Sequence, residues 1–120
     1  MVKEKGGKKT TPTVEININF DGNKLGVDLW IAEAACGQKV KWKSSLPFAV
    51  HFDGHSPLNY LVASSGPGPS HTITGTVVWN PDRYGGRKFH YYLAAATDMG
   101  TVIIDPDIIV PPGGRGGRQP

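Results

Sequence analysis

Val14-Glu15-Ile16-Asn17-Ile18-Asn19-Phe20 alternates apolar and polar residues, the period of two expected when one face of a strand is buried. Asp21-Gly22-Asn23 follows as a turn signal, since Gly and Asn tolerate positive φ. Leu25, Val27, Leu29 and Ile31 then restart the alternation. This phase points Leu29 and Ile31 to the core and turns Trp30 outward, to anchor a partner or to pack under a loop or another subunit. The two segments read as a hairpin or as a switch between sheets.

The same pattern recurs downstream. Val40 and Trp42 alternate with Lys39, Lys41 and Lys43, a half-buried strand whose lysines read as a solvated face that resists edge-to-edge pairing rather than as a phosphate stripe. Phe48 to Phe52 is a short apolar strand. In residues 71–79, Ile73, Val77 and Trp79 oppose Thr72, Thr74 and Thr76. Phe89, Tyr91 and Leu93 alternate with His90 and Tyr92, an Ala-rich link follows, and residues 101–104 close the sheet. Ile108, Ile109 and Val110 sit among Pro106, Pro111 and Pro112, which confines them to an edge. The expectation is an all-β, two-sheet Greek-key sandwich of about seven strands.

Residues 53–70, rich in Gly, Pro, Ser and Asn, form the longest expected loop and the first place to seek a binding surface, with Tyr60, Leu61 and Val62 tying its middle to the core. A chain of 120 residues has room for one core. Residues 13–110 are expected to form the domain, between a flexible basic tail over 1–12 and a disordered Gly/Arg/Pro tail over 111–120. The formal net charge of +3 comes mainly from these ends, which read as solubilising extensions with no readout motif behind them, so nucleic-acid binding is not expected. No apolar run is long enough to span a bilayer and no leader is visible, which gives a cytoplasmic expectation, or an exported one if a leader has been removed. The single cysteine, Cys36, lies among small residues and reads as a buried structural thiol.

Gly37-Gln38-Lys39-Val40-Lys41-Trp42-Lys43-Ser44, Tyr84-Gly85-Gly86-Arg87-Lys88-Phe89-His90-Tyr91-Tyr92 and Met99-Gly100-Thr101-Val102-Ile103-Ile104 resemble, in order and spacing, segments of the cupredoxins, over most of residues 13–104. The resemblance implies a cupredoxin-like fold. It also implies a copper site of two His, a Cys and an axial Met, and here the pattern departs. Leu93 stands where the Cys belongs, and Ala94 to Asp98 contain no His. Phe48 or His51 falls at the first ligand position, and Met99 alone matches the axial ligand. Copper electron transfer is therefore not expected. Asp105-Pro106-Asp107 with Pro111 also resembles the small uncharacterised bacterial DP-EP family, although Val110 stands where a second acidic residue would precede proline.

His51, Asp53 and His55 offer two imidazoles and a carboxylate, yet residues four apart on a strand stand more than about 10 Å apart, so independent histidines are the expectation. His90 faces the side of its strand opposite Phe89 and Tyr91. No nucleophile elbow or phosphate loop is present, and Gly66-Pro67-Gly68-Pro69 lacks the Lys and helix of one. The reading is a non-catalytic binding or interaction module on a metal-free scaffold, with no cofactor, an unknown protein or small-ligand partner, and a homodimer through an edge strand as one assembly. The alternative is a metal-binding protein with an altered site around His51, His55 or His90. A hydrolytic enzyme, needing a His, an acid and a nucleophile to converge, is third.

Overall fold

The computed structural model describes residues 12–66 and 70–113; expectations for the tails outside these limits, including the Arg115 and Arg118 segment, lie outside the described residues. The strands are β1 (Val14–Phe20), β2 (Leu25–Val27), β3 (Ile31–Glu33), β4 (Lys39–Ser44), β5 (Phe48–Phe52), β6 (Val62–Ser64), β7 (His71–Thr76), β8 (Arg87–Thr97), β9 (Gly100–Ile104) and β10 (Asp107–Val110). One helical turn, α1 (Pro81–Tyr84), precedes β8; Asn80 caps it by accepting from the Asp82 N–H. The protein is all-β, in two open mixed sheets. One has four strands in the order β2-β1-β4-β7, and the other has six, β3-β10-β8-β5-β6 with β9 beside β8.

The described residues hold ten strands where about seven were expected, because the short ones escape a pattern reading. The stretch from Leu25 to Ile31 divides in two. Asp28 accepts hydrogen bonds from the backbone N–H and side-chain Nδ2 of Asn17, both at 2.8 Å, and beyond it the chain leaves the four-stranded sheet for the six-stranded one. Both a hairpin (β1–β2) and a sheet switch (β2–β3) result. The phase slips at the switch: Ala32 and Ala34 are buried, and Leu29 and Ile31 are exposed, contrary to expectation. Small alanines carry the inward positions there, and a hydrophobicity pattern gives them little weight.

Two further corrections concern β8 and β10. The Ala-rich segment is not a link. β8 runs through it for 11 residues because ladders on both sides, to β5 and to β9, override the weak strand preference of alanine. β10 is not an edge: it pairs antiparallel with β8 and parallel with β3, burying Ile108 and Val110 completely. Pro106 and Pro111 bracket this strand instead of interrupting it, and the Pro106 carbonyl still accepts from the Tyr91 N–H at 3.1 Å.

Residues 53–66 are less of a loop than expected. Pro57 and Leu58 are buried, Leu58 bridges to Val77, and Asn59 exchanges hydrogen bonds with Thr76 through its N–H and its side-chain oxygen. Val62 to Ser64 then pair with β5. The segment thus covers part of the β7 edge of one sheet and extends the other as β6, as unprotected edges require. Tyr60 packs against the core, but Leu61 and Val62 are exposed, so Pro57 and Leu58 do the anchoring that was expected of them.

Between the sheets lies one core. Trp42 of β4 and Tyr91 of β8 are both fully buried, and the indole Nε1–H donates to the Tyr91 hydroxyl at 3.0 Å, a polar bond joining the two sheets. Phe52 packs beside Tyr91 with ring centroids 5.1 Å apart, and Ile16, Val40, Val50 and Leu93 fill the surrounding layer.

Candidate binding face

Two outward faces follow from the pleat, and they differ in chemistry. On the four-stranded sheet, register places Glu15 opposite Lys41, Asn17 opposite Lys43, and Lys39, Lys41 and Lys43 opposite Thr76, Thr74 and Thr72. Every one of these is polar. The lysines stand on an interior strand, flanked by β1 and β7, so they solvate a face and do not guard an edge as expected.

The outer face of the six-stranded sheet carries exposed apolar side chains. Ile31, Asp107 and His90 form one cross-strand row, and Val62, His51 and Tyr92 form another. A third runs through Ser64, Ala49, Ala94 and Ile103. Ile31 is 57% exposed, Val62 56%, Ile103 61% and Tyr92 39%. Beside them an open groove of about 480 Å³ is floored by small residues, among them Ala49, Ser64, Ala94, Ala96 and Thr101. Ile103, Val62 and Tyr92 stand in the rows at or next to this shallow recess, and Ile31 lies across the sheet on β3.

At the middle of this face His90 is held by two strands. Its Nδ1 lies 2.9 Å from Asp107 Oδ1, and because an ionised carboxylate only accepts, Nδ1 carries the proton. Nε2 lies 3.7 Å from Asp105 Oδ2, and the ring meets Tyr92 edge-on at 5.3 Å. His51 stands opposite Tyr92, so His51 and His90 share the face as diagonal neighbours. His55 is exposed in the bend after β5, where its N–H donates to the Asp53 carbonyl, and it joins neither. Among the described residues, no group of three His, Cys, Asp or Glu side chains is arranged to hold a metal ion.

The positions singled out by the copper comparison do not converge. Leu93 is in the core, His51 points outward from its strand, and Met99 is exposed at the β8–β9 hairpin. Cys36 is exposed rather than buried: it occupies the turn before Gly37, whose φ of +91° favours glycine. The inward position in that segment belongs to Ala34. Cys36 borders an open cleft of about 550 Å³ with Asn80, Asp82 and Pro112. Trp30 is about half-exposed, but not through the expected alternation, since Leu29 and Ile31 on either side are exposed as well; it lies across Gly26 of β2 rather than on the apolar face.

Sequence reasoning missed the Asp105 and Asp107 partners of His90, because their register with β8 depends on β10 being an interior strand. It also missed His71, which is buried with Nδ1 bonded to the Gly66 carbonyl at 3.0 Å. No protein-family model matches the chain, and no curated protein matches it.

Proposed function

We propose that the protein is a non-catalytic interaction module that docks another protein on the outer face of its six-stranded sheet. The observation that carries this reading is the contrast between the two outer faces: Ile31, Val62, Tyr92 and Ile103 are exposed on one, while the other is polar across β1, β4 and β7, with Trp30 its apolar exception over Gly26 at the β2 edge. Exposed apolar side chains gathered on one face are characteristic of contact surfaces. Its form favours a protein over a small molecule. Small ligands are bound where most of their surface is enclosed, whereas this face offers an open recess with exposed apolar side chains nearby, suited to side chains presented by a second surface.

We infer further that the scaffold is cupredoxin-like. The segments that carry the resemblance fall on β4, on the turn and first half of β8, and on β9, so each occupies a discrete element of the sandwich.

Photo-crosslinking tests the docking face. With benzoylphenylalanine at Tyr92, cells producing the protein should give a covalent adduct of defined mass; the same residue at Thr74, on the polar face, should give none. Ile103→Lys should abolish the Tyr92 adduct while leaving the thermal midpoint unchanged, because Ile103 is 61% exposed. Adducts at both positions, or at neither, would overturn the reading. An adduct containing a second copy of the chain would replace the foreign partner by a homodimer through this face.

A further inference from the structure

His90 is oriented by Asp107 in a way that leaves the other side of the ring chemically open. With the proton fixed on Nδ1 by Asp107 at 2.9 Å, Nε2 of the neutral ring presents a lone pair, and it faces Asp105 Oδ2 at 3.7 Å. That separation is too long for a hydrogen bond, and two acceptors then confront one another. A proton on Nε2 relieves this conflict, and so does a metal cation held between the two groups. Two donors bound at zinc distances of about 2.0–2.1 Å, at a tetrahedral angle, stand about 3.4 Å apart. Asp105, 65% exposed at its side chain, would have to move by only a few tenths of an ångström to reach that spacing.

We propose that His90 Nε2 and the Asp105 carboxylate form an exchangeable site for a borderline divalent transition cation, of which zinc, nickel and copper(II) are the candidates. Asp107 serves as the outer partner that fixes the tautomer and raises the basicity of the ligating nitrogen, an arrangement usual around metal-bound imidazoles. With two protein donors, water completes the coordination shell and the ion exchanges readily. An imidazole donor selects against magnesium and calcium, which prefer all-oxygen shells. The site does not require the surrounding face to have a partner.

The test is a zinc titration of the full chain carrying Cys36→Ser, which removes an exposed competing thiol. Imidazole ¹⁵N resonances are followed at one fixed, mildly alkaline pH. The His90 Nε2 resonance should respond at zinc concentrations at least tenfold below those that move the exposed His51 and His55, and magnesium should leave it in place. Asp105→Asn, at an exposed position, should weaken the His90 response tenfold or more without altering the thermal midpoint. Asp107→Asn should weaken it as well and move the ring proton to Nε2, a tautomer change visible before any zinc is added. If His90 responds together with His51 and His55, or if Asp105→Asn has no effect, the binding is adventitious surface coordination and the proposal fails.

Discussion

At the scale of single residues, two tyrosines differ in how their hydroxyls are satisfied. Tyr91 accepts from Trp42 Nε1 at 3.0 Å in the middle of the core. Removing that acceptor with Tyr91→Phe strands a buried indole N–H, and stability should fall by about 1–3 kcal/mol in urea unfolding. The Tyr60 hydroxyl, by contrast, is buried with no hydrogen-bond partner among the described residues. Tyr60→Phe should therefore be neutral or stabilising. The same hydroxyl presses on Gly75: a Cβ there would lie 2.7 Å from Tyr60 Oη and 2.9 Å from Leu58 Cδ1. Gly75→Ala should cost about 1–3 kcal/mol, and Tyr60→Phe should recover only part of that loss, since Leu58 still obstructs. Burial also pushes the Tyr60 phenol up to about 12 and raises that of Tyr91 further, with the Trp42 hydrogen bond opposing and Asp107 adding to the rise. A raised folded value means that the native state holds protons which the unfolded chain releases. This contribution is complete below the ordinary tyrosine value of about 10 and is lost as the pH climbs through 12. Urea midpoints measured between about pH 9 and pH 12 should fall for the parent protein and fall less steeply for Tyr60→Phe.

At the scale of elements, β10 divides what the sequence displays from what it conceals. Strands β1, β4 and the first half of β8 announce themselves through alternation, because each has one face on the core and one in water, and β5 shows as a short apolar run. β10 has the same inward pair, Ile108 and Val110, but four apolar-rich residues between prolines carry no period long enough to recognise, and proline near a strand usually signals an edge. β3 is hidden for a related reason: its one inward residue is Ala32, with Ala34 just beyond it, and Asp28 precedes the change of phase. The candidate face depends on these concealed strands. His90, Tyr92 and His51 could be assigned an outward direction from alternation alone, whereas Asp107 and Ile31 join them only through the β3-β10-β8 register. Two isoleucines test the placement. Ile108→Ala should lose about 2–5 kcal/mol as a fully buried core residue. Ile103→Ala, on the exposed face, should stay within about 0.5 kcal/mol, by the same urea measurement. Small effects at both positions would return β10 to the edge.

At the scale of the whole molecule, the ladders that close the sandwich join distant parts of the chain. β1 pairs in parallel with β4, and β3 pairs in parallel with β10, so Ile31 near the start meets Asp107 near the end. The two sheets are then tied across the core by the Trp42–Tyr91 bond, and on one side by residues 57–64, which touch β7 of one sheet and pair with β5 of the other. Neither sheet retains a buried face if the other leaves, because each covers one side of a single core. Unfolding should accordingly be a single transition, with tryptophan fluorescence, which senses Trp42 between the sheets, and far-UV circular dichroism, which senses the ladders, giving the same urea midpoint. Refolding should be slow for a chain of this size, in roughly the millisecond-to-second range of domains built on non-local strand pairs, since the closure entropy of the β3–β10 and β1–β4 ladders must be met before their contacts form. Fluorescence and dichroism midpoints that separate would show one sheet surviving without the other. The Trp42–Tyr91 bond would then lie at a contact between two semi-independent layers, and the apolar face would belong to a sheet free to move relative to its neighbour.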